Sequence, residues 1–437
     1  MFSYPPGPTT PAVVQTAQYV RDPVTALEKW ADRYGDLFTI RIAGFGRFVF
    51  ASAPDELRQI FTADPEDVQT GVANGQLRPI VGSQSVLTLD GQPHHRHRRL
   101  MLPPFHGDRM TTYAAIIRDA TRAAIAAWPR GEPFALHPHM LTITLEVILR
   151  AVCGISERTR LDSFGGMFSE LIDRWSSPLL PMLAFYGIDP IRIAPWLPVA
   201  KKKLALDRAL RTEIEARRTR PPGDDIFSLM LSARDEQGQP LSEDELRDEL
   251  VTLMVAGHET SATTLAWAFE RVLVHPEVRA KIEAELATGA EVDKLPYLDA
   301  VVRETLRQRP ILAFVARKTR VPFTIGGYQV PPGTFLCPAI HLAHRRAAAY
   351  PEPDQFRPER FVGKRADPYE WLPFGGGGRR CLGMAFALFE IKHILATVLR
   401  EANLELEGGP LPRVLRGVTV APKGGTRVRL RAPRREA

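Results

Sequence analysis

Between Phe374 and Cys381 the chain runs through Gly375-Gly376-Gly377-Gly378-Arg379-Arg380, and this stretch restricts the fold more than any other. Four consecutive glycines pack nothing and each costs conformational entropy, so they mark a backbone path that residues with a Cβ could not follow. The path ends at a cysteine. Directly after it, Met384 to Leu395 is apolar at helical spacing without proline, which predicts a long buried helix with Cys381 at its entrance. Outward-pointing amides at a helix N-terminus favour a thiolate, and Arg379 and Arg380 stand beside it. Such a sulfur is a nucleophile or a metal ligand. Glycines leading into a helix can also cradle a phosphate, but no Lys-Ser or Lys-Thr follows here.

A chain of 437 residues can form two or three ordinary domains or one large one, with 44% apolar and 24% charged residues as in soluble globular proteins. The net charge of +7 is spread along the chain, and the one basic run, Arg427 to Arg435, reads as a solvated tail, so no nucleic-acid binding is expected. Three distant cysteines, Cys153, Cys337 and Cys381, suggest neither a disulfide framework nor a zinc site and fit a reducing cytoplasm. No signal peptide and no apolar run long enough to span a bilayer is seen, so no membrane anchor is expected.

Asp22-Pro23 predicts a helix N-terminus, with the helix ending near Gly35. Strands are expected at 37–42 and 47–51 around Ala43-Gly44-Phe45-Gly46. Residues 71–90 lack a period. The next segment, Gly91 to Arg99, is dense in cations, and His94 and Arg98 share a helix face. Helices with loops follow from about 113 to 220. Within them, 164–200 is rich in large apolar residues (Trp175, Leu179, Leu180, Met182, Leu183, Phe185, Trp196) and broken by prolines. Ser242 and Glu245 form a capping box that opens a helical pattern of about 33 residues, on the order of 50 Å long. Halfway along it lies Ala256-Gly257-His258-Glu259-Thr260, where an acid and a hydroxyl beside a glycine weaken the helix and need a reason. Glu304 and Arg307 are spaced for an ion pair on another helix at 296–309. Residues 311–315 read as a strand, short β structure is expected at 324–334, and a turn at 415–420.

Phe374-x-x-Gly377-x-Arg379-x-Cys381-x-Gly383 resembles the heme-binding loop of the cytochromes P-450, the heme-thiolate monooxygenases. The resemblance extends, in the family's order, to His94-x-x-x-Arg98, Ala256-Gly257-x-Glu259-Thr260, Glu304-x-x-Arg307 and Arg360, and covers about residues 20–430. It implies a mainly α fold with a small β region (37–51 and 311–340), one domain over 1–437, and heme b between the long distal helix and the cysteine loop. It also implies that Cys381 is the iron ligand, that Phe374 shields its sulfur and that Gly377 and Gly383 let backbone approach it. His94, Arg98, Arg317 and Arg379 would serve the heme propionates, and Ala256 and Gly257 would open a groove for O₂. Thr260 would hydrogen-bond the dioxygen and Glu259 would feed protons to it. Glu304, Arg307 and Arg360 would form a supporting network.

The same resemblance makes Val86, Leu87, Ala256, Thr260, Leu312, Phe314 and Val418 pocket residues and 164–200 a lid, and so implies an apolar substrate: a fatty acid, a terpenoid or a macrolide. Electrons from NAD(P)H would come through a separate ferredoxin or flavodoxin, an acidic partner expected to dock near Arg96 and Arg99. Family members of eukaryotic origin usually carry an N-terminal anchor, whereas this chain opens with Tyr4-Pro5-Pro6-Gly7-Pro8. A soluble, bacterial, cytoplasmic monomer is the expectation. A peroxide-driven peroxygenase and, from another class, a non-catalytic heme carrier or sensor are the alternatives.

Overall fold

A computed structural model describes residues 1–105, 109–175, 180, 183–184, 187–221, 223–364 and 366–431 of the chain. Helix α1 (Ala12–Arg21) was not foreseen, but α2 (Pro23–Tyr34) starts where expected, with the Asp22 carboxylate accepting the Thr25 N–H at 3.1 Å. The expected hairpin follows as β1 (Leu37–Ile42) and β2 (Gly46–Ala51), then α3 (Pro54–Phe61) and β3 (Val68–Gln69). Helices α4 (Gly91–Met101) and α5 (Arg109–Ala126) lead to β4 (Pro133–Ala135) and to α6 (Leu136–Ala151), α7 (Arg158–Trp175), α8 (Pro198–Arg218) and α9 (Ile226–Ser232). Leu179, Met182 and Phe185 of the expected lid lie outside the described residues. Of the rest, Phe164, Phe168 and Leu171 are buried, whereas Trp196 is 69% exposed.

The capping box forms as predicted. Glu245 N–H donates to Ser242 Oγ, Ser242 N–H donates to Glu245 Oε2, and α10 (Glu243–Val274) runs 32 residues without interruption. It lies along α6 and crosses α8, α12 (Pro296–Gln308, after α11, Pro276–Ala287) and α13 (Met384–Glu401), so nearly every turn of it is buried.

Strands β5 (Arg317–Thr319), β6 (Phe323–Ile325), β7 (Tyr328–Val330) and β8 (Phe335–Pro338) precede α13. After it come β9 (Asn403–Leu406), β10 (Arg413–Arg416), β11 (Thr419–Pro422) and β12 (Arg427–Arg431). The main sheet has the order β1-β2-β8-β5-β3, with only β2 and β8 parallel, and β12 pairs with both β4 and β9. Residues 311–315 are not the strand expected. Their backbone is tied to three separate partners: the Ile311 carbonyl accepts from Val420, the Ala313 carbonyl from His341, and Val315 donates to Pro338. No single neighbour runs alongside to make a ladder.

Beneath the cysteine loop, Glu304 and Arg307 are completely buried and doubly bonded at 2.6 and 2.9 Å, and Arg360 approaches Glu304 at 3.5 Å. The Arg357 N–H donates to Glu304 as well, and Arg307 donates to the carbonyls of His344 and Pro353. The network foreseen from sequence therefore clamps 344–360 onto α12. Removing one member leaves a buried charge alone, so Glu304→Ala should lose about 3–5 kcal/mol in denaturant unfolding. Glu390 of α13 is fully buried facing Ser261 of α10, and burial pushes its carboxyl up to about 8. Between its ordinary 4.5 and about 8 the folded state holds a proton that the unfolded chain releases, so stability falls as pH rises through that window. Glu390→Gln should flatten that fall, read from melting temperatures across the range.

Candidate functional site

Gly375 and Gly377 adopt φ of +66° and +63°, and Cβ atoms at Gly376 and Gly377 would strike the ring and carbonyl of Phe61. The glycine run is therefore a close crossing of the loop over α3, which accounts for the residue type. The loop turns back so that the Cys381 N–H donates to the Phe374 carbonyl at 2.8 Å, while Trp371 meets the Phe374 ring edge-on at 5.9 Å. Gly383 caps α13, so Cys381 sits at the helix entrance as predicted. Its side chain is accessible, yet protein atoms surround it, which means that it opens on an internal cleft. Burial pushes this thiol above its ordinary value, against the pull of the Gly383 amide, Arg98 and Arg380.

Around the cleft stand His94 and Arg98 of α4, Arg317 of β5 and Arg379 of the loop. Arg317 donates to the carbonyls of Ile60 and Gly376, each at 3.0 Å. Arg379 donates to the carbonyls of Val86 and Leu89 and to Asp90, which also accepts the amides of Thr70, Gly71 and Val72. The Arg98 side chain makes no ion pair or hydrogen bond among the described residues, and it interacts electrostatically with Cys381. Burial and the neighbouring Arg379 push His94 down to about 3, and burial and Arg379 push Arg317 down to about 10. Among the described residues one carboxylate, Asp90, pairs with these arginines, through Arg379. A cleft with a thiol and an excess of buried positive charge fits a cofactor that brings a metal and carboxylates of its own.

Val86 is buried and Leu87, Leu312 and Phe314 are half-buried. Val418, expected in the pocket, lies in the β10–β11 turn and is 63% exposed, because the turn projects beyond the strands. The Thr260 hydroxyl donates to the Ala256 carbonyl at 2.5 Å, a bond back along its own helix. Opposite Gly257 lies Ile148 of α6, whose side chain a Cβ would strike. The expected groove is thus no break in α10, and the glycine has a packing reason of its own. Arg96 and Arg99 are not free for a partner: Arg96 bonds Asp235, Glu245 and the Pro240 carbonyl, and Arg99 pairs with Glu236.

Sequence reasoning missed Asp248 and Glu249, whose carboxylates accept the amides of Gln84 and Val86 at 2.9 and 2.7 Å and hold the segment before α4 against α10. They sit in the charged first turns of α10, among Glu243, Asp244, Glu245 and Arg247, where nothing in the pattern sets them apart. His137 and Thr263 were also missed, and both lie at Glu259: His137 Nε2 is 3.0 Å from Thr263 Oγ1 and 3.8 Å from the carboxylate.

A thiol at a helix entrance with arginines close to it fits a heme-thiolate protein. Comparison with known proteins agrees: residues 5–427 match the family model for Cytochrome P450. The chain belongs to the cytochrome P450 family and is a heme monooxygenase. "Putative cytochrome P450 135B1" of Mycobacterium tuberculosis is 38% identical over 439 residues, covering 98% of this chain and 92% of that one. "Putative cytochrome P450 138" of the same species is 37% identical, with 98% and 96% covered. Among solved structures, the retinoic acid-bound cyanobacterial CYP120A1 shares the fold with a TM-score of 0.83 at 24% identity, over 99% of this chain and all of that one. The heme domain of cytochrome P450DA does so with 0.85 at 23%, over 99% and 98%. Among the described residues no helix is long and apolar enough to cross a membrane.

Gly257→Ala must displace the end of the Ile148 side chain, which offsets the helix propensity gained, and Ile148→Ala should remove that contact, so that the two changes are non-additive in denaturant unfolding.

Proposed function

We propose that the protein, acting as a single domain, inserts one oxygen atom from O₂ into a C–H or C=C bond of an apolar small molecule such as a fatty acid, terpenoid or macrolide. Its electrons originate in NAD(P)H and arrive through a separate ferredoxin or flavodoxin. The observation that carries this reading is the accessible thiol of Cys381 beside Arg98, whose side chain has no partner among the described residues. Heme, when bound, supplies O₂ binding and the oxidising power.

Cys381 would hold the iron, with its amide engaged by Phe374 so that the loop cannot swing away. Arg98 and His94 would receive the propionates, while Arg317 and Arg379, already bonded to carbonyls, build the wall and add charge. Thr260 has its own hydrogen committed to Ala256, which leaves its oxygen able to accept a hydrogen bond from a ligand in the cleft. Burial raises the proton affinity of Glu259 above that of an ordinary carboxylate, which suits the group to take up and pass on a proton. Val86, Leu87, Leu312 and Phe314 exclude water and offer an apolar wall.

The test is spectroscopic first. The reduced carbonyl complex should show the red-shifted Soret band of thiolate ligation and Cys381→Ser should lose it; an unchanged band in that variant overturns the reading. Turnover should then need O₂, NAD(P)H and a redox system, with peroxide alone much slower, and Thr260→Ala and Glu259→Gln should divert electrons to hydrogen peroxide. A spin-state titration against the three substrate classes should select one.

A further inference from the structure

Glu259 does not stand alone on α10. Its Oε1 lies 3.5 Å from Thr263 Oγ1, 3.8 Å from His137 Nε2 and 3.8 Å from Arg416 Nε. These groups also contact one another, since His137 Nε2 is 3.0 Å from Thr263 Oγ1 and Arg416 Nη1 is 3.3 Å from His137 Nδ1. A guanidinium can only donate, so Nδ1 must accept and the proton of a neutral His137 is on Nε2. That N–H donates to Thr263, whose own hydrogen is then directed to Glu259. The chain has one direction, with every donor aimed at the carboxylate.

His137 stays neutral because burial, and then Arg416, push it down to about 4. The remaining ionisable groups near Glu259 are Asp173 of α7, which raises its proton affinity, and His258 on its own helix. His258 faces Thr144 of α6 and is held neutral by burial and by His137. His137 and Thr263 are buried, while the Arg416 side chain at the end of β10 is about half exposed. The chain therefore joins a surface hairpin to the acid.

We propose that Arg416, His137 and Thr263 are positioning residues that orient the Glu259 carboxyl and set its proton affinity, so that the β10–β11 hairpin governs proton supply to the cleft. This rests on the reading of Glu259 as the proton-handling acid. Taking away a cation or a donor weakens the ionised form, so Glu259 should then hold its proton to higher pH.

The test follows the infrared carboxyl band of Glu259, identified by its loss in Glu259→Gln, through a pH titration of the ferric, substrate-free protein. In Arg416→Gln and His137→Leu the midpoint should move upward. In His137→Gln, whose amide N–H stands in for Nε2–H, it should return toward the parent value. Arg416 is at a half-exposed site, so its variant decides the question should His137→Leu fail to fold, with heme content and melting temperature as the check. The fraction of consumed O₂ released as hydrogen peroxide should rise in the same variants that shift the band. If Glu259→Gln stays fully coupled, the role given to Glu259 fails. If Glu259→Gln uncouples but the band midpoint is unmoved in Arg416→Gln and His137→Leu, the positioning chain alone is overturned.

Discussion

Positive charge held out of water is the constraint on which this site depends. Arg98, Arg317 and Arg379 come from three segments far apart in sequence; Arg379 disfavours the charge of Arg317, Arg98 disfavours that of Arg379, and burial with these arginines keeps His94 neutral. What keeps them together is a set of neutral or single-charge anchors: carbonyls of Ile60, Gly376, Val86 and Leu89, and the carboxylate of Asp90. The protein folds around a local excess that is relieved only when an anion enters. In an enzyme of the cytochrome P450 family a carboxylate of the heme would supply such an anion.

The parts of the fold that were legible in the sequence are those whose chemistry is local. The Ser242–Glu245 capping box, the Asp22 cap and the Glu304–Arg307 pair lie within one helical turn, and each forms as read. The glycine run was legible for the same reason, although its partner, Phe61, was not. Errors came where a distant partner decides. Arg96 and Arg99 looked like a free basic face until Asp235, Glu236 and Glu245 arrived from about 140 residues away. Residues 311–315 have the pattern of a strand but no edge to pair with.

The surroundings of Glu259 were the least legible of all. His137, at the start of α6, and Arg416, at the end of β10, are 279 positions apart and belong to no motif. A family pattern names the acid and the alcohol but not what stands behind them, because those contacts depend on how α6 and the hairpin pack on α10. That packing is specific to this chain's side chains, as Ile148 against Gly257 also illustrates.

Arg379 has a consequence of its own. By gripping the carbonyls of Val86 and Leu89 from only two residues before Cys381, it couples the segment over the cleft mechanically to the sulfur. Whatever presses on that segment from inside would load the same strut that sets the thiol, so the optical spectrum of a metal held by that sulfur would gauge what occupies the space above it.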